Sequence, residues 1–204
     1  MIFRYFHTFR YLKFTQIYYR IWFHLTKPIL RKNYQINLRV LENKFCSTIK
    51  KRQSLLNENT FKFLNKSQSL SGVGWNDNRS NTTKLWRYNQ HYFDDLNAVD
   101  SYKRKVWHDK LLENWISENS IGKGIGWDPY PTSIRIVNLV KWHLQGNKLS
   151  ETSLQSLALQ ANWLNKRIEW HILGNHLFSN AKALIFAGLF FSSKQSEIWL
   201  KKGL

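Results

Sequence analysis

Leu173-Gly174-Asn175-His176-Leu177-Phe178-Ser179-Asn180-Ala181-Lys182-Ala183-Leu184, continued by Ile185-Phe186-Ala187-Gly188-Leu189-Phe190, decides the fold class. Over residues 176–191 the apolar side chains Leu177, Phe178, Ala181, Leu184, Ile185, Ala187, Leu189 and Phe190 point almost all round a helix. A helix apolar on every side is buried against other helices. This one is too short and too interrupted to cross a bilayer, which takes about 20 apolar residues. Its neighbours in sequence must supply its cover.

They read as helices on both sides. Upstream, Ser150 followed by Ser153 opens a segment with Leu154, Leu157, Ala158, Ala161 and Ile168 at helical spacing. Before it, residues near 132–145 place Val137, Val140 and Leu144 on one face. Pro129 and Pro131 suit the start of that helix, where the first turn lacks amide partners anyway, and Gly146-Asn147 suits its end. Earlier still, Asp100 is placed to cap a helix carrying Trp107, Leu111, Leu112, Trp115 and Ile116 on one side. Gly122-Lys123-Gly124-Ile125-Gly126 follows no strand and lacks the Gly-Lys-Ser/Thr ending of a phosphate loop, so it reads as a flexible turn. Downstream, residues 196–204 start one more helix, whose Ile198, Trp199 and Leu200 need a surface and whose Gly203 can be a cap. Helices alternating with short loops predict an all-α fold of stacked helical hairpins.

The first ninety residues differ. Of 31 Lys and Arg in the 204-residue chain, 14 fall in residues 1–70, against only Glu42 and Glu58, for a net +12 of the total +18. Residues 1–60 read as a basic, aromatic, helical N-terminal segment. Phe6, Phe9, Leu12, Phe14, Ile17, Ile21 and Leu25 form a rough helical stripe ended by Pro28. This helix either packs on the body or lies on an anionic membrane surface. No apolar run follows its basic residues, so it does not read as a cleavable secretory signal. Residues 29–60 read as helix and polar connection. Residues 61–94 read as an extended and loop connection: 61–64 is strand-like, and 67–74 and 76–83 are Ser, Gly and Asn-rich. The helical body occupies 95–204.

Composition narrows the function. Apolar residues at 43% with nine Gly and three Pro exclude a disordered or collagen-like chain. The single Cys46 excludes an internal disulfide and a four-thiolate zinc site. No His-Glu-x-x-His, nucleophile elbow, zinc-finger spacing or basic zipper occurs, so neither a cofactor nor a metal is expected. A charge of +18 leaves nucleic acid, an anionic membrane surface or an acidic polysaccharide as partner.

Three stretches concentrate Trp, Tyr, Arg, Asn and His at loop-to-helix junctions: residues 85–94 (LWRYNQHYFD), 126–138 (GWDPYPTSIRIVN) and 173–184 (LGNHLFSNAKAL). In this order they resemble the N-terminal helical domain of the heparinase II/III-like polysaccharide lyases, as does the opening stretch 7–22. The closest resemblance is to members found among bacterial surface-polysaccharide genes, and it spans nearly the whole chain.

The resemblance implies an incomplete (α/α) toroid and β-elimination of uronic-acid polysaccharides. In that reaction a proton leaves the carbon beside a carboxylate, so the carboxylate charge must first be neutralised by donors. A tyrosine or histidine then moves the proton. By position in the motif, Asn175 neutralises the carboxylate, and His176 is its neighbouring donor or proton acceptor. Trp127, Tyr130 and Arg135 are candidates for a sugar subsite, since aromatic faces suit sugar rings and Arg forks a carboxylate. Each has a structural alternative. Asn175 can cap a helix beginning at His176, Trp127 and Tyr130 can fill gaps between helices, and Arg135 can be a solvated helix residue. Trp86, Arg87, Tyr88 and His91 carry the same ambiguity.

Family members bring a further tyrosine and histidine from beyond the point where this chain ends. The resemblance therefore implies a truncated or split protein, completed by a C-terminal region or a separate chain and expected to lack lyase activity alone. By resemblance the location is the periplasm or cell envelope. Two other readings remain: a non-catalytic acidic-glycan binder, or a basic protein that binds a membrane surface or nucleic acid through residues 1–70, nucleic acid being disfavoured.

Overall fold

A computed structural model describes residues 10–30, 34, 36–40, 42, 45–46, 49–76 and 82–204. Phe6, Phe9 and the rest of residues 1–9 lie outside the described residues, as do parts of 31–48 and residues 77–81. The elements run α1 (Phe14–Leu25), β1 (Thr60–Phe63), β2 (Lys66–Ser69), α2 (Leu70–Val73), α3 (Lys84–Gln90), α4 (Lys105–Glu118), α5 (Pro129–Leu144), α6 (Glu151–Lys166), α7 (Gly174–Phe190) and α8 (Lys194–Gly203). Short 3-10 turns fall at Asp94–Asn97, Ser101–Arg104 and Ile125–Trp127. The fold is mostly helical, with one two-stranded antiparallel hairpin.

The apolar helix is central, as its composition demands. α7 packs on α5, α6 and α8, and Ala183, Leu184 and Ala187 are fully enclosed. Gly188 permits the tightest approach: a Cβ there would sit 2.7 Å from the backbone nitrogen of Leu200 on α8. α8 buries Trp199 to 1% exposure against Phe191, while Ile198 stays exposed. Ser150 caps α6 by accepting from the Ser153 amide, and Ser193 caps α8 by accepting from the Ser196 amide.

A second cluster joins the hairpin to the helices through aromatic rings. Phe61 meets Trp75, Trp75 stacks on Phe93, and Trp115 touches Phe93 and Trp127. Trp127 in turn meets Trp163 edge-on. Most of the tryptophan load is therefore core.

Several expectations need correction. Among the described residues of 29–60 there is no helix. This segment runs over the body in bridges, Leu38 to Phe191, Lys51 to Ala98 and Leu55 to Phe61. Several of its amides find acceptors on the body: Ser54 and Leu55 both donate to the Asp95 carboxylate, and Lys51 donates to the Asn97 carbonyl.

Residues 66–69, read as loop, form the second strand of a hairpin turned by Leu64 and Asn65, both at positive φ. Residues 84–90, assigned to the connection, are helical because the Thr83 hydroxyl caps the Trp86 amide and Trp86 is buried. Asp100 does not cap α4. It sits at φ +53 with its carboxylate on Lys103, and α4 continues from the 3-10 turn before it. The 122–126 turn is packed against the body. A Cβ on Gly126 would meet the His91 ring at 2.5 Å, so only glycine lets this backbone lie against that imidazole.

Candidate functional site

His176 lies in the first turn of α7, and its side chain keeps 34% of its exposure. Its Nδ1 is 3.0 Å from Oε1 of Glu169, whose side chain is 7% exposed. Glu169 comes from the α6–α7 connection and is held by Asn180, one turn along α7 from His176. The Asn180 amide donates to Glu169 Oε2 at 3.2 Å, and its carbonyl oxygen accepts from the Glu169 amide at 2.9 Å. The same amide donates to Ser133 on α5, whose hydroxyl donates to the Pro129 carbonyl. Burial pushes the Glu169 carboxyl up, against the opposing pull of His176 and Asn180. With Glu169 ionised, the Nδ1–H of His176 donates to Oε1.

Tyr130, at the start of α5, lies over His176 with ring centroids 4.5 Å apart and meets Tyr92 edge-on at 6.1 Å. Next to this cluster, Tyr88 on α3 donates to Asp128 Oδ2 at 2.5 Å, and Lys84 pairs with the same oxygen at 3.5 Å. Burial, and then the Asp128 carboxylate, push the Tyr88 phenol well above its usual range, so it stays a donor. Burial likewise raises Tyr92. The result is a patch of three tyrosines, one oriented imidazole, two carboxylates and one lysine.

The structure brings together only part of what the sequence suggested. Asn175 is exposed beside His176 in the first turn of α7. It is not the cap: the helix starts one residue earlier, and Leu173 at φ +65 occupies the cap position without a side-chain bond.

Trp127 is a correction. It is 3% exposed, and its indole donates to the Asn119 carbonyl, so it has no face for a sugar. Arg135 is another. It is fully buried, and among the described residues its partners are neutral. It donates to Gln160 Oε1 at 2.7 Å, to the His91 carbonyl at 3.0 Å and to the Gly126 carbonyl at 2.9 Å, and its guanidinium lies 3.9 Å from the Trp115 ring centroid. Burial drives its pKa well down. Arg135 therefore ties the 85–94 stretch and the Gly126 turn to α5 and α6 from within. His91 is internal too. Trp115 donates to its Nδ1, so its Nε2 carries the proton to the Trp75 carbonyl.

Glu169, Asn180 and Asp128 were not singled out as ligands, and Tyr88 was left open between a ligand and a structural role. One signal existed: Glu169 is the sole acid between Glu151 and Glu197 and lies between Ile168 and Trp170. Among the described residues no group of three His, Cys, Asp or Glu side chains gathers as a metal site.

A cleft of about 410 Å³ lies elsewhere, between α1 and residues 165–170, and does not include the His176 cluster.

No family model, curated protein or solved structure matches this chain. The resemblance to the lyase family rests on the three motifs and the opening stretch.

Proposed function

We propose that the chain is the N-terminal helical part of a β-eliminating lyase for uronic-acid polysaccharides, its hairpins forming part of an (α/α) toroid. The observation that supports this most is the Glu169–His176 pair. A buried carboxylate orients a half-exposed imidazole beside an exposed asparagine and under an aromatic ring. In this reading Nε2 of His176 takes the proton from the carbon next to the uronate carboxylate, a C=C bond forms as the glycosidic C–O bond on the next carbon breaks, and the imidazolium returns the proton to the leaving oxygen. Glu169 stabilises the imidazolium that forms, and the Asn175 amide donates to the carboxylate as charge builds on it. Tyr130 offers the sugar a ring edge, and Lys84 adds positive charge at the rim. Trp127 and Arg135 hold the motif backbone and touch no substrate.

The test is titration of the full chain with alginate and hyaluronan oligosaccharides, with neutral dextran and duplex DNA as comparators. Selective uronate binding is expected, weakened about tenfold or more by Asn175→Ala and by His176→Ala, with unchanged circular dichroism. Equal affinity for alginate and DNA, insensitive to both substitutions, overturns the reading.

A further inference from the structure

Helix α1 carries two faces. Gln16, Tyr19 and Phe23 turn inward: the Gln16 amide donates to the His171 carbonyl, Tyr19 meets Trp170, and Phe23 lies under the Arg167 guanidinium at 3.4 Å. Arg167 also donates to the Phe23 and Thr26 carbonyls, fastening the end of the helix. Among the described residues the opposite face is exposed. Phe14, Tyr18, Ile21 and Leu25 recur at i, i+4, i+7 and i+11 and are 82%, 50%, 55% and 78% exposed, with Trp22 beside them at 52%. Such a spacing makes one continuous apolar stripe along a helix.

The surroundings of the stripe are cationic. Lys13, Arg20, His24 and Lys27 lie on or next to α1, and the first acid in the sequence is Glu42. The 410 Å³ cleft on the inner side of α1 is lined by Lys27, Lys166, Arg167 and Lys202, together with Tyr19 and Trp22, and by no acid. An exposed large-apolar stripe framed by Lys and Arg, with Trp and Tyr at its edges, fits the boundary of an anionic bilayer: apolar groups enter the acyl edge and cations meet the headgroups. A second copy of the helix would set the same cations against each other. At 12 residues α1 lies along a surface; among the described residues no helix is long and apolar enough to cross a membrane.

We infer that α1 is a docking helix for an anionic lipid surface, holding the helical body against a membrane by its Phe14–Tyr18–Ile21–Leu25 stripe. The recognition needs both terms. Charge alone would attract any polyanion, and the stripe alone would not discriminate among lipids.

The test is flotation of the full chain with phosphatidylcholine vesicles and with mixed phosphatidylcholine–phosphatidylglycerol vesicles. Binding is expected to the mixed vesicles only, with a blue shift in tryptophan emission that Trp22→Phe removes without releasing the protein. The triple change Phe14→Ser, Ile21→Ser, Leu25→Ser touches exposed positions only and is expected to weaken partitioning about a hundredfold. Arg20→Gln with Lys27→Gln weakens it through charge. Three outcomes overturn the inference: vesicle binding that the triple change leaves intact, soluble heparin bound as tightly as vesicles with the same indifference to the stripe, or a triple change whose sole effect is to dissolve a dimer.

Discussion

Asp95→Asn is expected to cost about 3–5 kcal/mol at neutral pH, and the cost is expected to shrink on acidification. The carboxylate accepts four bonds from three directions. Arg104 Nε and His108 Nε2 reach Oδ2 at 2.7 and 2.8 Å, and the Ser54 and Leu55 amides reach Oδ1 at 2.7 and 3.0 Å. Both ionic side chains are buried, Arg104 at 6% and Asp95 at 8% exposure, so removing one charge strands the other. Burial raises the Asp95 pKa, but the bonds from His108, Arg104 and the two amides outweigh it and hold the group at about 2, against 3.8 for a free carboxyl. That difference corresponds to roughly 2 kcal/mol at about 1.4 kcal/mol per pH unit. Because the folded value is the lower one, this stability is fully present above pH 3.8 and is lost as the pH falls towards 2. Urea unfolding followed by tryptophan fluorescence, at steps between about pH 5 and pH 2, reads it. The parent should lose about 2 kcal/mol that the Asn variant does not lose. Parallel curves, or a neutral-pH cost under about 1 kcal/mol, would refute the reasoning.

His91 should act in a separate and higher pH range. Burial, and then the Arg135 charge, lower it to about 3 from 6.5, so the folded protein holds it neutral while the unfolded chain takes up a proton. Stability present above pH 6.5 is then lost as the pH falls towards 3, at up to about 1.4 kcal/mol per pH unit. His91→Phe should flatten that slope in urea titrations, and an unchanged slope would move the effect to another group. Gly188→Ala tests the α7–α8 contact. Helix propensity alone predicts a gain of about 1 kcal/mol, whereas a Cβ 2.7 Å from Leu200 backbone predicts a net loss of about 1–3 kcal/mol. Thermal unfolding gives the sign.

How legible the protein was depended on whether local signals matched what the tertiary structure rewards. The helices from α5 to α8 show in the sequence because apolar spacing, the prolines at 129 and 131, and the Ser150 cap all agree with their burial. The hairpin did not show. Its second strand is Lys-Ser-Gln-Ser, a loop composition, and its turn places Leu64 at a positive φ that leucine seldom adopts. The extended course of 49–59 was hidden because Asp95, some forty residues away, supplies the acceptor for its amides. In the candidate site, His176 and Tyr130 were named from the motifs, and the structure places their rings side by side. Trp127 and Arg135 were misplaced because the same residue types serve sugar binding and core stapling, and only the Asn119, Gln160 and Gly126 partners decide between them. Glu169 was overlooked because its role depends on Asn180 folding back from the next helix.

The charge balance separates the two proposed surfaces. A net +18 suggests one broadly basic molecule, yet much of the cationic set near the helical body is already engaged. Arg135 is spent on carbonyls, Arg104 on Asp95, and Arg167 on the end of α1. The His176 patch holds Asp128 and Glu169 against Lys84, so bulk positive charge cannot be what would neutralise a uronate there; directed donors such as the Asn175 amide would have to do it. Around α1 the opposite holds, with exposed Lys13, Arg20 and Lys27 and no acid before Glu42. Directed hydrogen bonds in a half-buried site depend little on ionic strength, whereas exposed cations facing a charged surface are screened within about 10 Å at 0.1 M salt. On the two proposals, ionic attraction would act at the α1 surface and directed hydrogen bonds at the His176 patch, and salt should separate the two.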